Sequence, residues 1–144
     1  MGNEEIKLVE FIKPKSMGPR DWGEEILIGL SPGNYSLKKL FIKAGKKGGL
    51  QYHHLKDETG YMVYGEMIVR HDDGFGNLVE TIVKEGDSFR FPPHSVHQEE
   101  ALTDCLVIEA STPHYNDRVR VESKYGLKEE PGLNSTKKND VKTM

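Results

Sequence analysis

Glycine and proline punctuate this chain so densely that most elements must be short. The sequence holds 15 Gly and 7 Pro. Between positions 14 and 93 most gaps separating them are strand-sized. The gaps carry short apolar runs such as Ile26-Leu27-Ile28. Leu40, Ile42 and Ala44 alternate with Phe41 and Lys43, and Leu106, Ile108 and Ala110 with Cys105, Val107 and Glu109. Val119 and Val121 alternate with Arg118 and Arg120, as on a half-solvated strand. Tyr61 to Arg70 and Leu78 to Val83 flank Asp72-Asp73-Gly74-Phe75-Gly76-Asn77, a strong hairpin signal. Gln98 to Asp104 has helix-favouring letters, but it is short and lies between strand-like runs. Many short strands at this spacing predict an all-β sandwich or barrel.

The 144 residues fit one domain, and 35% hydrophobic residues plus the glycines suffice for a core. Residues 21–126 read as the barrel. Residues 1–20 read as a polar arm in which Ile6, Leu8, Val9, Phe11 and Ile12 can supply an edge strand. Residues 127–144, rich in Lys, Glu, Asn, Ser and Thr, read as a polar tail. The net charge of −3 with mixed signs gives no basic footprint for nucleic acid or an anionic membrane. No apolar run approaches the ~18 residues of a membrane span. Met1 to Leu8 lacks the apolar region of a secretory signal, and Cys105 is the sole cysteine, so the cytoplasm is the expected compartment. Cys105, Met62 and Met67 read as core residues, and Trp22 as core or lid packing.

Two clusters carry chemistry. The first runs Gly45, five residues, Gln51-Tyr52-His53, four residues, Glu58, six residues, Gly65. The second runs Gly86, five residues, Pro92-Pro93-His94, two residues, His97. On one strand Gln51 and His53 share a face, whereas His54 takes the other. Glu58 can open the next antiparallel strand toward the same point, and His97 can arrive from a distant strand. Two imidazoles and two oxygens would then suit one divalent transition metal at roughly 2.0–2.3 Å. A rival register uses His54 with Glu58 and puts Tyr52 in the place of Gln51.

These clusters resemble the two motifs of the cupin superfamily, Gly-x5-His-x-His-x3–4-Glu-x6-Gly and Gly-x5-Pro-x-Gly-x2-His-x3-Asn. The spacings match throughout, with Gln51 for the first His, His94 for the inner Gly and Ala101 for the Asn. Leu50-Gln51-Tyr52-His53 is similar to the Leu-Gln-x-His signature of phosphomannose-isomerase-type cupins. Trp22-Gly23 resembles their Pro-Trp-Gly entry. Ser111-Thr112-Pro113, Asp117 to Arg120 and Lys124-Tyr125-Gly126 resemble the closing segment of small sugar-phosphate and nucleotide-sugar cupins. Gly60 stands where the larger isomerases carry an aromatic residue, which implies a wider pocket, and Leu127 where they carry Arg.

The resemblance implies a double-stranded β-helix, or jelly-roll-like barrel, paired as a homodimer. It implies one divalent metal (Zn, Mn, Fe, Co or Ni) on Gln51, His53, Glu58 and His97, and a sugar derivative as substrate. An aldose–ketose isomerase of the mannose-6-phosphate-isomerase type fits first, with the metal as Lewis acid and a side chain as base. Candidates for base or substrate contact are Glu99, Glu100, Lys43, Tyr64 and His94, with Arg90 as the phosphate ligand. The alternatives are a non-catalytic binder of a sugar or small acid, and a non-heme iron dioxygenase built on His53, Glu58 and His97.

Overall fold

The structure is a computed structural model that describes residues 5–130. Its strands in chain order are β1 (Lys15–Arg20), β2 (Gly23–Ser31), β3 (Tyr35–Ile42), β4 (Gln51–His53), β5 (Glu58–Tyr64), β6 (Met67–Asp72), β7 (Leu78–Val83), β8 (Ser88–Phe91), β9 (His97–Ala101), β10 (Cys105–Ser111) and β11 (Arg118–Arg120). A single 3₁₀ turn, Glu122–Tyr125, follows. The strands form two sheets, in the orders β1-β2-β3-β10-β5-β8 and β11-β4-β9-β6-β7. All pairings are antiparallel. This is the all-β barrel that the punctuation predicts, with the jelly-roll-like layout that the resemblance implies.

Alternation decides which side chains enter. On β5 the inward residues are Glu58, Gly60 and Met62, with Thr59 and Tyr61 outside. On β9 His97 and Ala101 bound the inward face. On β10 Cys105, Val107 and Ser111 are buried. Each of these strands presents polar inward atoms at one end and apolar ones at the other. The apolar ends assemble the core from Trp22, Ile42, Met62, Met67, Val69, Val83, Phe91, Ala101, Cys105 and Val107. Met62 and Met67 are fully enclosed, each contributing about 1.5–3 kcal/mol by burial. The polar ends are left facing one another across the two sheets.

The predicted hairpin forms between β6 and β7, with Asp72↔Leu78 as its last pair. Asp72 Oδ1 accepts the backbone N–H groups of Gly74 (2.7 Å) and Gly76 (3.2 Å). Gly65 follows β5 with φ +101°, and a Cβ there would lie 2.4 Å from the Asp104 carbonyl oxygen, so the spacing of the first motif ends on a residue only glycine can supply.

The helix-favouring letters of Gln98–Asp104 fall in β9 and the turn after it, because β9 is flanked by β4 and β6 and gains ladder bonds on both sides. Two expectations are corrected. The edge strand is Lys15–Arg20, not Ile6–Ile12. It pairs with β2 through a bulge between Ser16 and Pro19, an edge position where proline costs no ladder bond. Ile6, Leu8, Val9 and Phe11 lie exposed outside regular structure. Nor is the space beside Gly60 open: the Phe89 ring occupies it, and a Cβ on Gly60 would lie 2.2 Å from Cζ of that ring. Of the polar tail, residues 127–130 are described, and they fold back. Leu127 N–H donates to the Glu122 carbonyl at 3.0 Å, and Lys47 Nζ lies 3.5 Å from Glu130 Oε2. The remaining tail, 131–144, lies outside the described residues.

Candidate metal centre

Three strand ends meet at the polar mouth of the barrel. β4 ends on His53, β5 begins with Glu58 and β9 begins with His97. All three are buried, and one donor atom from each lies within 4.8 Å of the others. His97 Nε2 stands 3.6 Å from Glu58 Oε1. The opposite ring nitrogen, Nδ1–H, donates to the Ser95 carbonyl at 2.9 Å. That bond leaves the lone pair of Nε2 turned toward Glu58, and Nε2 is buried without a hydrogen-bond partner. The ring itself is clamped on Phe91, with centroids 3.8 Å apart and 10° between planes. An orphaned imidazole nitrogen beside a second imidazole and a carboxylate fits a divalent transition ion.

The electrostatics agree with neutral ligands. Burial draws the His53 imidazole down to about 4, helped by the charge of Lys56 and by His97. Burial likewise draws His97 down to about 4, against the Ser95 carbonyl, which acts upward. Glu58 divides its carboxylate: Oε1 faces His97, and Oε2 takes the Lys56 ammonium at 3.0 Å. Burial alone would lower Lys56, but Glu58 and then Glu109 outweigh it and hold the ammonium above the ordinary lysine range.

Gln51 sits directly across from His97 in the β4–β9 pairing and lines the same cavity. Its Oε1 lies 3.5 Å from Arg118 Nη1, which donates to it. His54 is exposed on the opposite side of β4, as strand parity predicts. Of the other candidates, only Glu99 lines this cavity. Burial, with the charges of Glu58 and Glu109, pushes its carboxyl up to about 8.

The remaining candidates point elsewhere. Arg90 is exposed and bound to Asp57, at 3.0 and 2.7 Å. Glu100 faces outward onto Arg70 at 2.8 Å. Lys43 and Tyr64 border a separate recess beside Cys105. His94 is exposed at the rim of a groove beneath β7 and β8. Arg90 has outward parity on β8, whereas Phe91 points inward, and it borders the groove beneath β7 and β8 rather than the cavity of the three clustered residues.

The cavity behind His53, Glu58 and His97 measures about 90 Å³. Its walls carry charges that motif reading does not single out. Lys38 Nζ lies 3.0 Å from Glu25 Oε1, and Arg20 Nη2 lies 3.2 Å from Glu25 Oε2, in a buried chain of charges. Glu109 faces Lys56 at 3.8 Å, and burial together with Glu58 drives its carboxyl upward. One signal for Lys38 is present in the sequence, since 38 shares the parity of Leu40 and Ile42. Lys56 has none, because it lies in the turn between β4 and β5.

The architecture is a two-sheet antiparallel barrel of the cupin kind, with a His-carboxylate-His cluster at one mouth. A family model described as Cupin domain matches residues 40–104, a little under half of the chain. The capsular polysaccharide assembling protein CapF from Staphylococcus aureus is similar in structure, with TM-score 0.66 and 20% identity over 75% of this chain and 32% of that one. An RmlC-like cupin from Shewanella frigidimarina gives TM-score 0.58 and 23% identity over 80% of this chain and 96% of that one. KdgF from Halomonas sp. gives 0.56 and 25%, over 65% and 81%. The chain thus spans about a third of the length of CapF and nearly all of the RmlC-like protein. No curated protein matches it significantly. Among the described residues no helix is long and apolar enough to cross a membrane.

Proposed function

We propose that this chain is a metal-dependent enzyme that moves a proton between adjacent carbons of a small sugar derivative, a sugar phosphate or nucleotide sugar. The observation that carries the reading is the convergence of His53, Glu58 and His97 with a second buried carboxyl, Glu99, on the walls of one cavity. His53 and His97, with Glu58 and with Gln51 as a weaker oxygen donor, would hold the ion. When bound, a divalent ion supplies Lewis acidity toward a carbonyl or hydroxyl oxygen.

The chain's own residues supply the rest. Glu99 exchanges the proton at its carboxylate oxygen, and its raised carboxyl titration suits a base working near neutrality. Arg118, on the same walls, faces the anionic portion of the substrate, while Lys56 stays on Glu58. Trp22 and Leu40 limit water. A cavity of about 90 Å³ admits the reacting end of a sugar, with the remainder outside the mouth. Likeness to a capsular polysaccharide assembling protein supports a sugar-related role. The same small charged cavity also suits a small acid held without turnover. The reading further includes a cytoplasmic protein that pairs two copies through the exposed arm.

Protein purified without added metal, assayed for metal content and then against sugar phosphates and nucleotide sugars by NMR in D₂O, tests it. The expected result is deuterium entering one carbon beside the carbonyl. His53→Ala and His97→Ala should lose both metal and exchange. Glu99→Gln should keep the metal and lose at least about 10²-fold in exchange rate. A metal-loaded protein that binds a sugar derivative or small acid without exchange would overturn catalysis and establish the binder.

A further inference from the structure

We propose that His54 and His94 form a second, outward-facing site for a divalent transition ion, independent of the inner cluster. The two side chains belong to different segments. His54 directly follows β4, and His94 sits in the loop between β8 and β9. Their rings lie 5.8 Å apart at 80°. Two imidazoles that share an ion at about 2.0–2.1 Å from each nitrogen hold their centroids roughly 4.5–6.5 Å apart. Tyr52 completes the group, its ring 5.5 Å from His54 and 5.6 Å from His94. Both histidines are exposed, and among the described residues no hydrogen bond engages either imidazole.

A second observation points the same way. His94 has φ +67°, a left-handed conformation in which a side chain is disfavoured and glycine is the natural occupant. The strain is of order 1 kcal/mol or more. The backbone is fixed there for a structural reason, since His94 N–H donates to the His53 carbonyl at 2.8 Å. A glycine would make that bond equally well. The imidazole therefore stands where the backbone itself favours glycine, and it stands against the other exposed histidine, His54.

The ligand class follows from the donors. Two imidazoles with a phenol nearby favour borderline ions, with Cu²⁺ strongest in the usual order, then Ni²⁺ and Zn²⁺, whereas Ca²⁺ and Mg²⁺ find too few oxygens. An ion held here would join the loop carrying His94 to the strand carrying His53, and so lock the backbone that presents two inner ligands.

The test is a Cu²⁺ titration of the full chain followed by electron paramagnetic resonance and calorimetry. Wild type should take up two ions, each with the nitrogen splitting of two imidazoles, the outer one in an accessible, relaxing environment. His94→Gly suits the local φ, so it keeps or raises Tm, and it should lose the outer ion while retaining the inner one. His54→Ala should weaken the outer ion at least tenfold. His97→Ala should lose only the inner ion. If His94→Gly and His54→Ala bind Cu²⁺ with the stoichiometry and affinity of wild type, the outer site is overturned. Failure of the inner site instead leaves wild type with one ion and His94→Gly with none, so the two outcomes are distinguishable.

Discussion

Lys56 sets the character of the inner site. Its ammonium occupies Oε2 of Glu58 and so places a positive charge beside the point where a cation would bind. At an effective dielectric near 20, unit charges several ångströms apart repel by about 2–4 kcal/mol. Lys56→Met should therefore tighten Zn²⁺ or Mn²⁺ binding at least about tenfold, even though Glu109 loses a partner; competition against a chelating dye measures it. Unchanged affinity would mean that Lys56 moves away when the ion enters. At this scale strand parity was readable: positions 51 and 53 fall inside the barrel and 54 outside. Lys56 was not, because it lies in a turn without alternation. Asp117 aims it, since its Oδ2 accepts the backbone N–H groups of Leu55 (2.7 Å) and Lys56 (3.0 Å) from a segment 61 residues away along the chain. Glu109 escaped for another reason. Both faces of β10 are apolar at the residues beside it, so the letters alone do not say which face is inside.

Elements hold one another through side chains at their ends. The 3₁₀ turn Glu122–Tyr125 is tied to the last residue of β6, where Tyr125 Oη–H donates to Asp72 Oδ2 at 2.6 Å. Burial and that carboxylate push the Tyr125 phenol up to about 12, and the phenol, with the turn N–H groups of Gly74 and Gly76, lowers Asp72. The signs differ. Tyr125 has a raised folded value, so its contribution is complete below the ordinary phenol range near ~10 and is lost as pH climbs through about 12. Asp72 contributes above the ordinary carboxylate range, and that contribution fades on acidification. Asp72→Asn should bring the Tyr125 titration back toward ~10, read by carbon NMR of ring-labelled tyrosine; a titration that stays at about 12 would show that burial alone raises it. The β6–β7 hairpin was legible because its Asp and Gly letters specify the turn. β9 was less so, since its Gln, Glu and Ala favour helix locally and only the flanking strands decide otherwise. The start of β1 was illegible because Ile6 to Ile12 offers better strand letters than Lys15 to Arg20, yet it is Arg20 that reaches the buried Glu25.

At the scale of the molecule, the apolar arm and the sheet edges remain. Phe11 is 93% exposed and Leu8 86%. β7 and β8 end the two sheets on the same side, above a groove of about 730 Å³ floored by Val69, Val83 and Phe91. Light scattering at micromolar concentration should give a dimer for the full chain and a monomer after deletion of residues 1–14; a monomer in both would remove pairing from the reading. The motif letters set out His53, Glu58 and His97 along the chain, but the assignment of their strands to sheets comes only from long-range pairing. His53 and His97 stand on the five-stranded sheet and Glu58 on the six-stranded one. An ion gripped by all three would therefore act as a rivet through both halves of the sandwich. Filling the site and closing the sandwich become a single event, and a chelator would loosen the seam at the mouth while the methionine-packed far end stays shut.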